Sequence, residues 1–205
     1  MLVNFNEMLA KAKKGKYAVP AANIDNEHNL RAAIQASEKM KSPLILNVTP
    51  YANPDLEYFG RIAADLVRRA ETPIALNLDH GKTFEDCIKG IRAGFTCVMI
   101  DRSVCPLDRN IAEAREVARA AHSQGMSVEA EIGHVGLGDN YARDGSGALT
   151  QVGEAVRFVQ ETGVDALAAA IGTAHGVYRG TPKIRFELLH ELSEKVPVPL
   201  VLHGG

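Results

Sequence analysis

PIALNLDHGKTFEDCIKGIRAGFTCVMID, residues 73–101, is the stretch that decides the fold. An apolar run, Pro73–Leu78, ends in Asp79 and His80. The window Phe84–Ala93 then places apolar residues at three- and four-residue steps, the mark of an amphipathic helix. Gly94 follows it, where a left-handed C-cap residue is wanted. A second aliphatic run, Cys97–Ile100, ends at Asp101. Strand, helix, strand with a connection of this length predicts two parallel strands joined by a crossover helix.

The same unit recurs on both sides. Tyr17–Ala22 ends at Asn23, Pro43–Val48 at Thr49, and Ser127–Ala130 at Glu131. Ala166–Ile171 leads into Gly172–His175, and Pro199–Leu202 ends at His203. Helical windows Leu30–Met40, Asp55–Ala70, Asn110–Gln124, Gly153–Thr162 and Phe186–Lys195 lie between the runs, with Gly125 and Gly163 as further caps. An early helix, Phe5–Lys14, precedes the first strand and could cover the bottom of a barrel. An open doubly wound sheet and a closed barrel share this alternation. Each run is followed at once by a polar or ionisable residue, and a (β/α)₈ barrel gathers the C-terminal strand ends into one ring. The reading is therefore α/β: one TIM-barrel domain over 1–205, truncated after strand 7, since such barrels have roughly 250 residues. On this reading Gly205 is not a natural terminus, because strand edges would stay unpaired.

Composition narrows the function class. Of 205 residues, 46% are apolar and 23% charged, and the net charge of −2 gives no pull toward nucleic acid or membrane. Aromatics are only 5%, with no Trp, so the core should be small and branched aliphatics. Cys87, Cys97 and Cys105 form no CxxC pair, which predicts reduced thiols in a cytoplasmic protein. The start lacks a secretory h-region, and no apolar run reaches membrane-spanning length.

His80, His175 and His203 each follow a different strand. Three imidazoles with one open position make a catalytic zinc arrangement. His28, His122 and His190 fall in helical windows and read as solvated; His134, three residues after Glu131, could touch substrate. Asp79 could move protons beside the metal or ligate it, although strand neighbours point to opposite faces unless the strand end bends. Asp101 and Glu131 could orient the histidines or hold a second cation. Gly133–Gly147 reads as a lid. Gly172, Gly176, Gly204 and Gly205 offer backbone N–H groups for phosphate, with Arg179 and Lys183 adding charge.

LDHG at 78–81, VMID at 98–101, VEAEIGHVG at 128–136, GTAHGVY at 172–178 and LHGG at 202–205 together resemble the class II (zinc-dependent) fructose/tagatose-bisphosphate aldolase family. The resemblance covers essentially the whole chain, with the motifs in the family's order. It implies zinc on His80, His175 and His203, with Asp79 as acid/base. Asp101 and Glu131 would support the metal or bind a mobile second one. Asn23 and Thr49 would contact substrate, and Gly176 and Gly204 phosphate, with a monovalent cation nearby. Arg102 and Arg179 replace residues that are small or otherwise different in many members. LGDNY replaces the family's acidic lid pair and leaves Asp139 as a candidate proton carrier.

The implied activity is reversible aldol cleavage of a phosphorylated ketose, fructose- or tagatose-1,6-bisphosphate. The products would be dihydroxyacetone phosphate and glyceraldehyde 3-phosphate, formed by a homodimer or homotetramer in carbohydrate metabolism. Lysines end none of the seven runs, which argues against a Schiff-base route. An HxH pair typical of barrel metallohydrolases is missing where strand one ends in AAN. An aldolase for another phosphorylated sugar, or a non-catalytic barrel fragment or subunit, are the alternatives.

Overall fold

A computed structural model describes residues 1–140 and 148–204. Among these, seven parallel strands lie in one sheet in chain order, β1-β2-β3-β4-β5-β6-β7. They are β1 Ala21–Asn23, β2 Leu44–Val48, β3 Ile74–Gly81, β4 Cys97–Ile100, β5 Ser127–Ile132, β6 Ala166–Ala169 and β7 Leu200–Val201. The helices are α1 Phe5–Gly15, α2 Glu27–Met40, α3 Leu56–Arg68, α4 Phe84–Ala93, α5 Leu107–His122, α6 Val152–Thr162 and α7 Phe186–Lys195. This is the (β/α)₈ barrel pattern through its seventh strand, as the alternation together with the polar strand ends predicts. The contacts divide the chain into two compact units, Met1–Ile100 with Val117–Val128, and Asp101–Glu116 with Glu129–Gly205.

In the first unit, β1 to β3 pair in simple parallel register, with Asn23, Asn47 and Asn77 side by side across three strands. The Asn77 amide donates to Asn47 Oδ1 at 3.2 Å, so this polar layer satisfies part of its own hydrogen bonding inside an aliphatic sheet. β5 begins in this unit, where Ser127 N–H donates to the Thr96 carbonyl. Helix starts follow from local chemistry. Asn26 and Asn29 form a capping box on α2, Asp55 caps α3 and Thr83 caps α4, each satisfying otherwise orphaned N–H groups. Gly94 closes α4 in the left-handed conformation at φ 85°. At Gly60, an added Cβ would lie 2.6 Å from that of Ala93, so the missing side chain lets α3 approach the end of α4.

In the second unit, β5 pairs β6 and β6 pairs β7. β4 and β5 are buried along their whole length, as parallel strands covered on both faces must be. The largest fully buried side chains are Leu and Ile with Phe5, Phe158 and Met99, as a Trp-free composition predicts. Truncating one of them, such as Leu76, to Ala would cost about 2–5 kcal/mol. No helix among the described residues is long and apolar enough to cross a membrane. The three cysteines are free thiols, with Cys87 and Cys97 buried.

Some strand limits differ from the sequence reading. Tyr17–Pro20 precede β1; Pro20 has no N–H to give to the ladder and joins it only through its carbonyl, which accepts the Ile45 N–H at 3.0 Å. Ala170 and Ile171 lie past the end of β6, where Thr150 takes over the pairing. Its N–H donates to the Ala170 carbonyl, and its Oγ1 accepts the Ala170 N–H at 2.9 Å. β3 and β5 run on to Gly81 and Ile132, carrying Asp79, His80 and Glu131 inside the ladder.

Candidate metal centre

At the end of β3 the ladder breaks its rhythm. Leu78 pairs Val98, but Gly81, three residues on, pairs Ile100, only two on. The strand holds one extra residue, a bulge. His80 takes it up with a left-handed backbone, φ 52°, rare outside glycine. Strict alternation would set Asp79 and His80 on opposite faces; the bulge interrupts that alternation between Leu78 and Gly81. Gly81 makes this possible, since a Cβ there would lie 2.7 Å from the Met99 carbonyl oxygen. Asp79 is buried and His80 half-buried. Asn23 ends β1, and Thr49 follows Val48 of β2, which pairs Leu78 just before Asp79. All four residues thus stand at C-terminal strand ends of the first unit.

The second unit brings together two pairs. Ring nitrogens of His175 and His203 lie within 4.8 Å of one another, as do carboxylate oxygens of Asp101 and Glu131. The two imidazoles stand 5.7 Å apart between centroids at 81°. His203 is buried, and its Nε2 meets Glu129 Oε1 at 2.8 Å. Glu131 is 1% exposed; its Oε1 accepts the Val135 N–H at 2.9 Å, and the Asn110 amide donates to its backbone carbonyl. Asp101 Oδ1 accepts from the Ser103 N–H and hydroxyl, and the Ser103 Oγ lies 3.0 Å from His134 Nδ1. His134 in turn stands 3.8 Å from Glu131. It therefore belongs to the carboxylate network, whereas His28, His122 and His190 lie on exposed helix positions.

The loops after β5 and β6 are stitched together. Gly138 N–H donates to the His175 carbonyl and His175 N–H to the Gly136 carbonyl. Gly138 has no room for a Cβ, which would lie 2.5 Å from the Val177 carbonyl oxygen. Arg179 and Asp139, both exposed, form an ion pair at 2.8 Å. Gly176 and Gly204 have φ of 81° and 69°. Arg102 pairs with Glu113 on α5. Of the expected lid, residues 141–147 lie outside the described residues, as does Gly205.

Sequence reasoning missed Glu129, Ser103, and the asparagines Asn47 and Asn77. For Glu129 there was a signal: in VEAE two carboxylates stand at the period of a strand, so both leave the same face.

The family model described as fructose-bisphosphate aldolase class-II matches residues 3–205. The chain is 43% identical over 209 residues to the 6-phospho-5-dehydro-2-deoxy-D-gluconate aldolase of Halalkalibacterium halodurans, covering 100% of this chain and 72% of that one. It is 41% identical over 212 residues to the fructose-bisphosphate aldolase of Staphylococcus aureus (strain Mu50), covering 100% and 73%. Among solved structures, the YdjI aldolase of Escherichia coli K12 aligns with a TM-score of 0.89 at 31% identity, over 100% of this chain and 74% of that chain.

Proposed function

Since the chain belongs to the class II fructose-bisphosphate aldolase family of lyases, we propose that it is a zinc-dependent ketose-bisphosphate aldolase. It would cleave fructose-1,6-bisphosphate or tagatose-1,6-bisphosphate to dihydroxyacetone phosphate and glyceraldehyde 3-phosphate. The observation that carries the metal reading is the close, nearly perpendicular pair His175 and His203, a donor set suited to zinc. His80 would complete three imidazole ligands and leave one position open.

Bound there, zinc would supply Lewis-acid polarisation of the substrate carbonyl. The chain's own residues do the rest. Asp79 takes the proton from the C4 hydroxyl as the C3–C4 bond breaks and returns it in the condensation direction. Asp101 and Glu131 support the ligands or hold a second cation. Asn23 and Thr49 contact the sugar. Backbone N–H groups at Gly176 and Gly204 bind phosphate beside a monovalent cation. Arg179 can join them, because an exposed ion pair such as that with Asp139 is worth at most about 1 kcal/mol. The remaining features of the reading are a single domain, a homodimer or homotetramer, and a place in cytoplasmic carbohydrate metabolism.

A second reading has its own support: the Halalkalibacterium relative is named for a deoxygluconate substrate. Cleavage rates on fructose-1,6-bisphosphate, tagatose-1,6-bisphosphate and 6-phospho-5-dehydro-2-deoxygluconate separate the two. EDTA should abolish activity and zinc restore it. Activity that survives EDTA, together with inactivation by borohydride plus substrate, would overturn the zinc reading.

A further inference from the structure

Glu129 has no part in the reading above, yet it is a buried carboxylate, and such a group is costly to keep unless partnered. It lies on β5 two residues before Glu131, on the same strand face. Its Oε1 stands 2.8 Å from His203 Nε2, and both side chains are nearly closed to solvent, at 2% and 7% exposure. A carboxylate only accepts hydrogen bonds, so the hydrogen sits on Nε2, and the lone pair of the neutral ring is on Nδ1. The His175 ring lies almost perpendicular to this ring, 5.7 Å away.

We propose that Glu129 is the positioning residue for His203: it fixes the Nε2–H tautomer and the ring's orientation, so that Nδ1 is the atom offered to the metal. It also makes that nitrogen a stronger donor, as a carboxylate behind a ligating imidazole does. Glu131, whose Oε1 accepts the Val135 N–H, does a different job two residues away. The proposal rests on the zinc reading of His203.

The test compares wild type, Glu129→Ala and Glu129→Gln by two measurements. One is zinc affinity by competition with a chromophoric chelator. The other is the His203 tautomer, read from ring ¹⁵N shifts in the metal-free protein. Glu129→Ala should weaken zinc by about 10- to 100-fold and give a mixture of tautomers. Glu129→Gln keeps an acceptor oxygen, so it should keep the Nε2–H tautomer and lose less affinity. Unchanged affinity in Glu129→Ala, or an Nδ1–H ring in wild type, overturns the proposal. If Glu129→Ala does not fold, Glu129→Gln decides: a zinc affinity equal to wild type overturns it. A wild type that takes up no zinc instead overturns the zinc reading, while the tautomer still reports whether Glu129 sets the ring.

Discussion

The Tyr178 hydroxyl donates to the Gly204 carbonyl at 2.8 Å and accepts the Ala174 N–H at 2.7 Å. One side chain thus ties the segment carrying His175 to the segment carrying His203. Tyr178→Phe removes both bonds and leaves two backbone groups without that partner. The expected loss is about 1–3 kcal/mol, read as a lower urea midpoint with an unchanged slope.

Gly172 and Gly153 should respond to alanine with opposite signs. Gly172 has φ 103°, and an added Cβ would run into the Lys183 carbonyl, so Gly172→Ala should destabilise by about 1–3 kcal/mol. Gly153 lies in the first turn of α6 with nothing within 4 Å of an added Cβ. Gly153→Ala should stabilise by about 0.4–1 kcal/mol, by restricting the unfolded chain. Thermal melts of the two variants check the pair.

Thiol reactivity should rank by burial. Burial, with Asp86 adding to it, pushes the Cys87 thiol up to about 12. The thiolate is the nucleophile, so Cys87 should ignore an aromatic disulfide reagent at pH 8 until the protein is denatured. Cys105, half-buried in the loop after β4, should react first. Peptide mapping of the labelled native protein identifies the site, and rapid labelling of Cys87 would contradict the packing described.

Glu113 should make stability pH-dependent. Burial raises its carboxyl, but Arg109 and Arg102 outweigh that and hold it below the ordinary range. A carboxyl depressed in the folded state stabilises above its unfolded value, near 4.3, and loses that contribution as pH falls through the folded one. Wild type should therefore melt above Glu113→Gln at pH 6, and the two should converge as pH drops below about 4.

Asp79→Asn separates proton transfer from metal binding. With Asp79 as the acid/base residue, the variant should hold zinc at the wild-type ratio while kcat falls by roughly 10²- to 10⁴-fold. Metal analysis beside the cleavage assay reads both quantities. Zinc lost along with activity would make Asp79 a ligand.

Where the controlling chemistry is local, the sequence was legible. The limits of β4, α4 and α7 match the sequence reading residue for residue, and at α4 the Thr83 cap and Gly94 mark both ends. Reading strands as apolar runs failed at the polar ends. That reading stops at Leu78 and Ala130, while the ladder carries the ionisable residues one or two positions further. Thr150 ending β6, and Glu129 meeting His203 across 74 positions, are long-range partnerships that no window of neighbours contains.

The bulge at the end of β3 has a consequence for anyone altering this chain. The break in alternation at Asp79 and His80 is written first in a residue count. Point substitutions at Asp79 and His80 leave the count intact, and only at Gly81 would a new side chain meet the Met99 carbonyl, so a mutational scan would under-report it. Removing one residue there would restore regular pairing with β4 and strict alternation along β3, with every letter of the motif but one still in place. A library meant to remodel this centre must therefore vary length as well as identity.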